Sequence, residues 1–507
     1  MRIFYKYLLW LLSASTIVIF YLLNTQVGHE NLGLFLGKYL SEKTKNEIKI
    51  IDYNMDDYPV LEINLTVNDG AKVFLKGKGS PELIDMDYHL IGEDFNYSSF
   101  YTEDRVDIKG HISGISSNRI FTGVGELLEG KGEFEFIKTS ENFKDINLSL
   151  MKVSSLKLFK LLEQKPYLHG EIDVDAKMKL FSTQKRLGEV KLHMDKGALP
   201  DILPSLSFVL DTNLTFKNIE IFYDGKIYSE KGFSLLTKGV YHRSRKEALF
   251  DYVFDIKELS PFSTIFHHNY KGALHTLGKV QYANQKFEIN GTSTHLGGNL
   301  AYHYKDKNIE FDLEGVFLSE LLKQLSYPAL FNSEVYGMVD YNLKDNVIIV
   351  NTKLKKTRFR RTKMTDKIYE TTGIDMLKEI YDDSSFVGGY QNKILSSILK
   401  IDNGVNHIYL TDTRMNAKTN AIDSKFEIRL EGEELSGTIY GTLKKPKISI
   451  DVSRLLRYKF DKQLEDWFGE TEQEKVKQKF NGVKHKLETI DIDEVRRKAK
   501  ATLDKLF

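Results

Sequence analysis

The side chains able to do chemistry are present in this chain, but not at spacings that would make them a site. The 13 histidines are scattered along the 507 residues. His267 and His268 are adjacent, which on most backbone geometries aims the two rings apart, and His303 sits between Tyr302 and Tyr304 in a strand-like stretch. There is no His-x-x-x-His or His-Glu-x-x-His pair and no carboxylate series at calcium-loop spacing, so no metal ligands are predicted. Gly123-Val-Gly125 and Gly388-Gly389 lack the longer glycine pattern and the strand–loop–helix setting that phosphate binding requires. No serine lies in a nucleophile-elbow pattern. The absence of cysteine removes a thiol nucleophile, a disulfide framework and a cysteine zinc site together. With 71 acidic residues, paired carboxylates are unavoidable and carry no information. The chemistry expected is therefore non-enzymatic, with no catalytic, cofactor-binding or metal-ligating residue to name and no cofactor.

A protein without a reactive centre acts through its surfaces, and the elements forming them are legible. The 72 basic and 71 acidic side chains leave a net charge of +1, so no global field draws in nucleic acid and none is expected as a partner. From residue 48 to 453 the dominant signal is period two. It is clear in Ile48-Lys-Ile50, in Val60 to Val67, in Gly132-Glu-Phe134-Glu-Phe136, and from Ile172 through Val174 to Leu180. The same alternation returns at Val190 to Met194, Phe287 to Ile289, Phe311 to Leu313, Ile408 to Leu410 and Phe426 to Leu430. Glycines and Asn/Asp residues punctuate the runs as hairpin turns require. Each strand thus has one apolar and one polar face, as antiparallel sheets do when one side meets a core. Phe134, Phe136, Ile172, Val174, Phe426 and Ile428 are predicted to lie on the apolar side, facing a groove or core. Such a surface must be filled by side chains or by an apolar ligand, since exposing it costs ~25 cal/mol per Å². An acyl chain is the expected ligand.

Between groups of strands a unit recurs in which a short apolar helix precedes a glycine that opens a new strand. Its copies run from Leu156 to Gly170, from Leu259 to Gly272 and from Leu318 to Gly337, with a degenerate one over Phe95 to Gly110. Lys353 to Lys367 is a basic run that could meet acidic headgroups or a partner, and an apolar helix is predicted over Ile374 to Ile380. Four segments follow. Residues 1–23 read as a cytoplasmic tip and transmembrane signal anchor, because Tyr7 to Leu23 is uncharged and basic residues precede it. Residues 24–47 read as a juxtamembrane amphipathic helix, 48–453 as a repetitive β-body, and 454–507 as a charged amphipathic helical tail.

The anchor, the apolar helix Leu32 to Leu40, the strand at Ile48 and Ile50 and the helix-then-glycine units resemble the AsmA-like family of Gram-negative envelope proteins. The closest likeness is Gly437-Thr-Ile-Tyr-Gly441-Thr-Leu443-Lys-Lys-Pro446-Lys-Ile448-Ser-Ile450-Asp451, which is similar to that family's closing strands. The resemblance implies a relative of the bridge-like lipid-transfer proteins. Its fold would be mainly β: an elongated, twisted antiparallel sheet forming a taco-like hydrophobic groove. It would be anchored by one helix in the inner membrane, with a cytoplasmic N-terminus and its bulk in the periplasm, and would conduct glycerophospholipids towards the outer membrane. Its partners would be phospholipids or other acyl-chain lipids, the inner membrane, and outer-membrane or envelope proteins. An envelope structural or assembly factor, supporting outer-membrane protein biogenesis or tethering machinery, is the alternative.

Overall fold

The computed structural model describes residues 26–451, apart from positions 56–58, 69, 81, 98–99, 116, 183, 201–202, 230–231, 264–268, 328, 330, 362–364, 367–368, 370–374, 376, 431 and 443–444. The chain divides into two units between Phe250 and Asp251. The first opens with helix α1 (Gln26–Thr44), followed by strands β1 (Ile48–Asn54), β2 (Val60–Val67), β3 (Ala71–Gly79) and β4 (Leu83–Gly92). A small separate hairpin, β5 (Phe95–Tyr97) and β6 (Phe100–Thr102), precedes β7 (Val106–Ile115), β8 (Asn118–Leu127), β9 (Gly130–Thr139) and β10 (Phe143–Ser154). Helix α2 (Ser155–Leu161) then leads to β11 (Glu171–Phe181), β12 (Arg186–Leu199), β13 (Leu203–Lys217), β14 (Glu220–Tyr228) and β15 (Phe233–His242). The division between the units falls inside β16 (Glu247–Ile256).

The second unit contains a 3-10 turn at Ser260–Phe262, then β17 (Leu274–Ala283), β18 (Lys286–Ser293), β19 (Asn299–Lys305) and β20 (Asn308–Phe317). Helix α3 (Leu318–Gln324) precedes β21 (Phe331–Asn342), β22 (Val347–Phe359), β23 (Ser384–Gln391) and β24 (Ile394–Asp402). The last strands are β25 (His407–Asn416), β26 (Ala421–Leu430), β27 (Glu433–Thr442) and β28 (Lys445–Ile450). Within each unit the main sheet is an antiparallel meander in which each strand pairs with the next in chain order, except that β4 passes over the small hairpin to pair with β7. The ladder of the first unit is not closed on itself, since among the described residues β1 pairs with β2 and not with a later strand. Every alternating run picked out above falls within one of these strands. The closing segment forms β27 and β28, paired from Gly437↔Ile450 to Thr442↔Lys445.

Turn chemistry explains the tightness of the meander. Two consecutive residues with positive φ occur at Leu128-Glu129, Asn284-Gln285, Asp306-Lys307 and Asn392-Lys393, the pattern of a two-residue type I′ hairpin. Three of these begin with Asn or Asp, which tolerate the left-handed region. The fourth places Leu128 there instead, and Leu128 is buried in the core beside α2. Tertiary burial has overruled turn propensity at that position.

The transmembrane anchor requires correction. No helix among the described residues is long and apolar enough to cross a membrane. Residues 1–23, where the anchor was expected, lie outside the described residues. Helix α1, the first that is described, carries Glu30, Lys38, Glu42 and Lys43 and packs on a strand. Gly33 and Gly37 are its buried contact points, and a Cβ at Gly37 would lie 3.0 Å from the Ile48 carbonyl oxygen. Ser41 Oγ accepts from the Ile48 amide at 2.8 Å and donates to the Gly37 carbonyl at 2.7 Å. Helix α1 is thus fastened to β1. The single-pass inner-membrane topology, the inner membrane as a partner and the inner-membrane localisation all rest on that anchor, and no helix among the described residues supplies it. The anchored conduit between the two membranes loses the same support.

The helix-then-glycine units are found in modified form. Leu156 and Leu318 begin or lie in the short helices α2 and α3, whereas the degenerate copy has the β5–β6 hairpin in place of a helix. The third copy has the 3-10 turn, beyond which residues 264–268 are not described. Gly337 lies in mid-strand in β21 rather than opening it. The helix expected over Ile374 to Ile380 lies partly outside the described residues, and 377–380 are not helical. The tail 454–507 is likewise outside them.

Candidate functional site

Cross-strand partners share a face, so the registers show how each sheet is painted. In the first unit one row runs Ile63, Leu75, Tyr88, Gly110, Gly123, Phe134 and Leu148. It continues through Ala176, Val190, Leu214, Tyr223 and Gly239. No charged residue interrupts it. The adjacent row on the opposite face reads Phe74, His89, Lys109, Val124, Glu133, Ser149, Asp175, Lys191, Asn213, Asp224 and Lys238. The second unit repeats the scheme. Its apolar row is Val280, Ile289, Tyr304, Ile309, Tyr341, Ile348, Tyr390, Leu395, Met415, Ile422 and Gly441.

Among the described residues, much of this apolar face has no second layer upon it. Helix α2 covers one end in the first unit, where Leu158 and Leu161 pack on a cluster of Leu128, Leu150, Val153, Ile172, Val174 and Met194. Helix α3 does the same in the second, with Leu318 and Leu321 against Leu296, Leu313, Val316, Val335 and Leu354. Away from these caps, Tyr88, Phe121, Phe134, Phe136 and Leu148 in the first unit are only half-buried, as are Tyr304, Tyr341 and Leu395 in the second. The six residues predicted for the apolar side all lie on it, but they divide in role. Ile172 and Val174 are core beneath α2, and Phe426 is also buried, while Phe134, Phe136 and Ile428 keep part of their surface.

Aromatic rings on this face lie across glycines of neighbouring strands. Tyr88 covers Gly110 and Gly123 and donates its hydroxyl hydrogen to the Thr122 carbonyl at 2.9 Å. A Cβ at Gly123 would overlap the Phe134 ring, one at Gly291 the Tyr302 ring, and one at Gly437 would lie 2.7 Å from Phe426. The glycines let the rings lie flat along the sheet, which keeps the face smooth and unbroken. Phe136 stacks on Phe121 with centroids 5.0 Å apart and lies 5.7 Å from Phe134, forming a continuous aromatic patch. Burial pushes the Tyr88 phenol up to about 12, so it stays neutral and the patch carries no charge at any ordinary pH.

His89, His111, His193, His275 and His303, which sequence spacing left without a role, belong to the charged face. His89 pairs with Asp107 at 2.8 Å, and Arg105 holds the same carboxylate at 3.0 Å. His111 lies between Asp85 and Asp87, at 2.9 and 2.8 Å. His193 is bracketed in the same way by Asp211 at 2.7 Å and Asp195 at 3.0 Å. His275 and Asp255 also pair, and His303 lies 3.7 Å from Glu288. No sequence motif announces these pairs because the partners sit on different strands or alternate along one. No group of three metal-ligating side chains is found among the described residues, and His267 and His268 lie outside them. The basic run is partly spent: Lys356 pairs with Glu334 at 2.8 Å and Arg361 with Asp366 at 3.4 Å.

No known protein-family model matches this chain, and no curated protein matches it either.

Proposed function

We propose that the apolar sheet faces of the two units bind the acyl chains of lipids, making the protein a non-enzymatic lipid-binding scaffold. One observation carries this reading: apolar rows cross strand after strand without a charge, half-exposed, while charges are segregated to the other face. A sheet whose apolar side had only a structural role would be covered along its length by helices or a second sheet. Here the described helices cover the ends. The aromatic patch around Phe121, Phe134 and Phe136 is flat and neutral, suited to a methylene chain and offering nothing to orient a reacting group. This is also the surface that the resemblance to AsmA-like proteins implies, and we propose the kinship on the same ground.

Native mass spectrometry of the protein purified without detergent tests the reading. Copurified phospholipids or fatty acids that are lost when Phe136→Glu and Tyr304→Glu are combined, with unchanged circular dichroism, support it. A folded protein reproducibly free of lipid would sink it and leave the envelope assembly-factor reading in its place.

A further inference from the structure

In the second unit, beside α3, an open cleft of about 820 Å³ is lined in part by Lys271, Ser319, Glu320, Lys323, Asn332 and Arg360. It brings three cations together against one carboxylate. Lys323 is already engaged by Glu320 at 3.3 Å. Lys271 and Arg360 have no ion-pair partner among the described residues. The placement of Lys271 is built rather than incidental. The loop bearing Lys271 is stitched to the end of α3: the Lys271 amide donates to the Gln324 carbonyl at 2.9 Å, Gln324 Nε2 donates to the Ala273 carbonyl at 2.7 Å, and Ser326 Oγ donates to the Asn269 carbonyl at 2.6 Å.

The equivalent helix of the first unit supplies the contrast. There Lys157 pairs with Asp104 and, at 2.7 Å, with Glu129, while Lys160 pairs with Glu103 at 2.7 Å. The cations beside α2 are neutralised by the chain itself, and two of those beside α3 are left for something else.

We propose that this cleft binds a phosphoryl group, with the Arg360 guanidinium as the forked donor, Lys271 as a second cation, and Ser319 and Asn332 as neutral donors. Guanidinium and ammonium groups around hydroxyl and amide donors are the complement of a phosphate mono- or diester. The phosphate has two possible sources: the headgroup of a lipid whose chains lie on the adjoining apolar face, or a free phosphate ester. Only the first source rests on the lipid-binding reading.

Calorimetric titration of the full chain with glycerol 3-phosphate and with dihexanoyl phosphatidate tests the site. Both should bind in a salt-sensitive manner, while uncharged dihexanoylglycerol should show no dependence on the cleft. Lys271→Gln combined with Arg360→Gln should weaken phosphate binding by on the order of tenfold per charge removed, and Arg360→Lys by less. Equal affinity for the two phosphate probes assigns a free ester. Tighter binding of phosphatidate that falls in the double variant assigns a headgroup. The proposal is overturned if neither probe binds, or if the double variant, shown to be folded by circular dichroism, binds as the parent does. Phe136→Glu should leave glycerol 3-phosphate affinity unchanged, so failure of the apolar face and failure of the cleft are told apart.

Discussion

At the scale of single residues, the contrast between glycine and its aromatic neighbours governs the apolar face. Replacing Gly123 by valine puts methyl groups where the Phe134 and Tyr88 rings lie. The expected cost is about 1–3 kcal/mol, read from the denaturant midpoint, with Gly123→Ala costing less. A midpoint unchanged by Gly123→Val would mean that the rings do not rest on the glycine. Met194 is 1% exposed beneath α2, and Met194→Ala should destabilise by about 2–5 kcal/mol in the same assay. The charged face offers a pH test. Hydrogen bonding to Asp211 raises the His193 pKa above 6.5, outweighing desolvation, with Asp195 adding to the effect. A raised folded-state pKa gives stability that is fully present below about pH 6.5 and is lost as pH climbs through the folded value. His193→Gln should therefore lower the melting temperature at pH 5.5 and leave it nearly unchanged at pH 9. The effect is limited to a few tenths of a kcal/mol because the pair is solvent-exposed. An equal effect at both pH values would refute the charge pairing.

At the scale of elements, short helices act as local covers and α1 as a clasp. Gly33 and Gly37 are spaced one helical turn apart, so both meet β1, and Ser41 follows on the same face to bind the Ile48 backbone. Gly37→Leu should push α1 away from β1 and expose the Ile48 amide. Hydrogen exchange at Ile48 should then rise steeply while β11 and β12 keep their protection. Unchanged protection at Ile48 would show that the strand does not depend on the helix. The outward side of α1, with Leu34 and Phe35 exposed, takes no part in this contact.

At the scale of the whole molecule, the two units use one rule, a charged face and an apolar face on an antiparallel meander, with a short helix among the described residues at one end of the apolar side. Because each unit carries its own apolar rows, lipid binding is expected to be separable. Phe136→Glu should reduce the number of bound lipids without abolishing binding, and adding Tyr304→Glu should remove the rest, counted by native mass spectrometry. Complete loss from either change alone would mean that the units do not bind independently.

The strands were legible in the sequence because period-two alternation is a local property: Ile172 to Leu180 alternates whether or not its neighbours are known. The sidedness of Phe134, Val174 and Phe426 followed from the same alternation. What period two cannot encode is the register between strands. Only register joins Ile63 to Gly239 in one uncharged row, seats Tyr88 over Gly110 and Gly123, and sets His193 between Asp195 and Asp211. Nor could composition separate Ile172, buried under α2, from Phe136, left half-exposed, since a strand pattern does not say where a cover ends. The cations of the cleft beside α3 are spread from Lys271 to Arg360 and meet only through folding. The sequence by itself determined the β-class, the two-faced strands and the lack of a catalytic motif, each set by short-range patterning. The tertiary structure alone decided which apolar residues stay open and which charges stay unpaired, because both depend on partners distant along the chain.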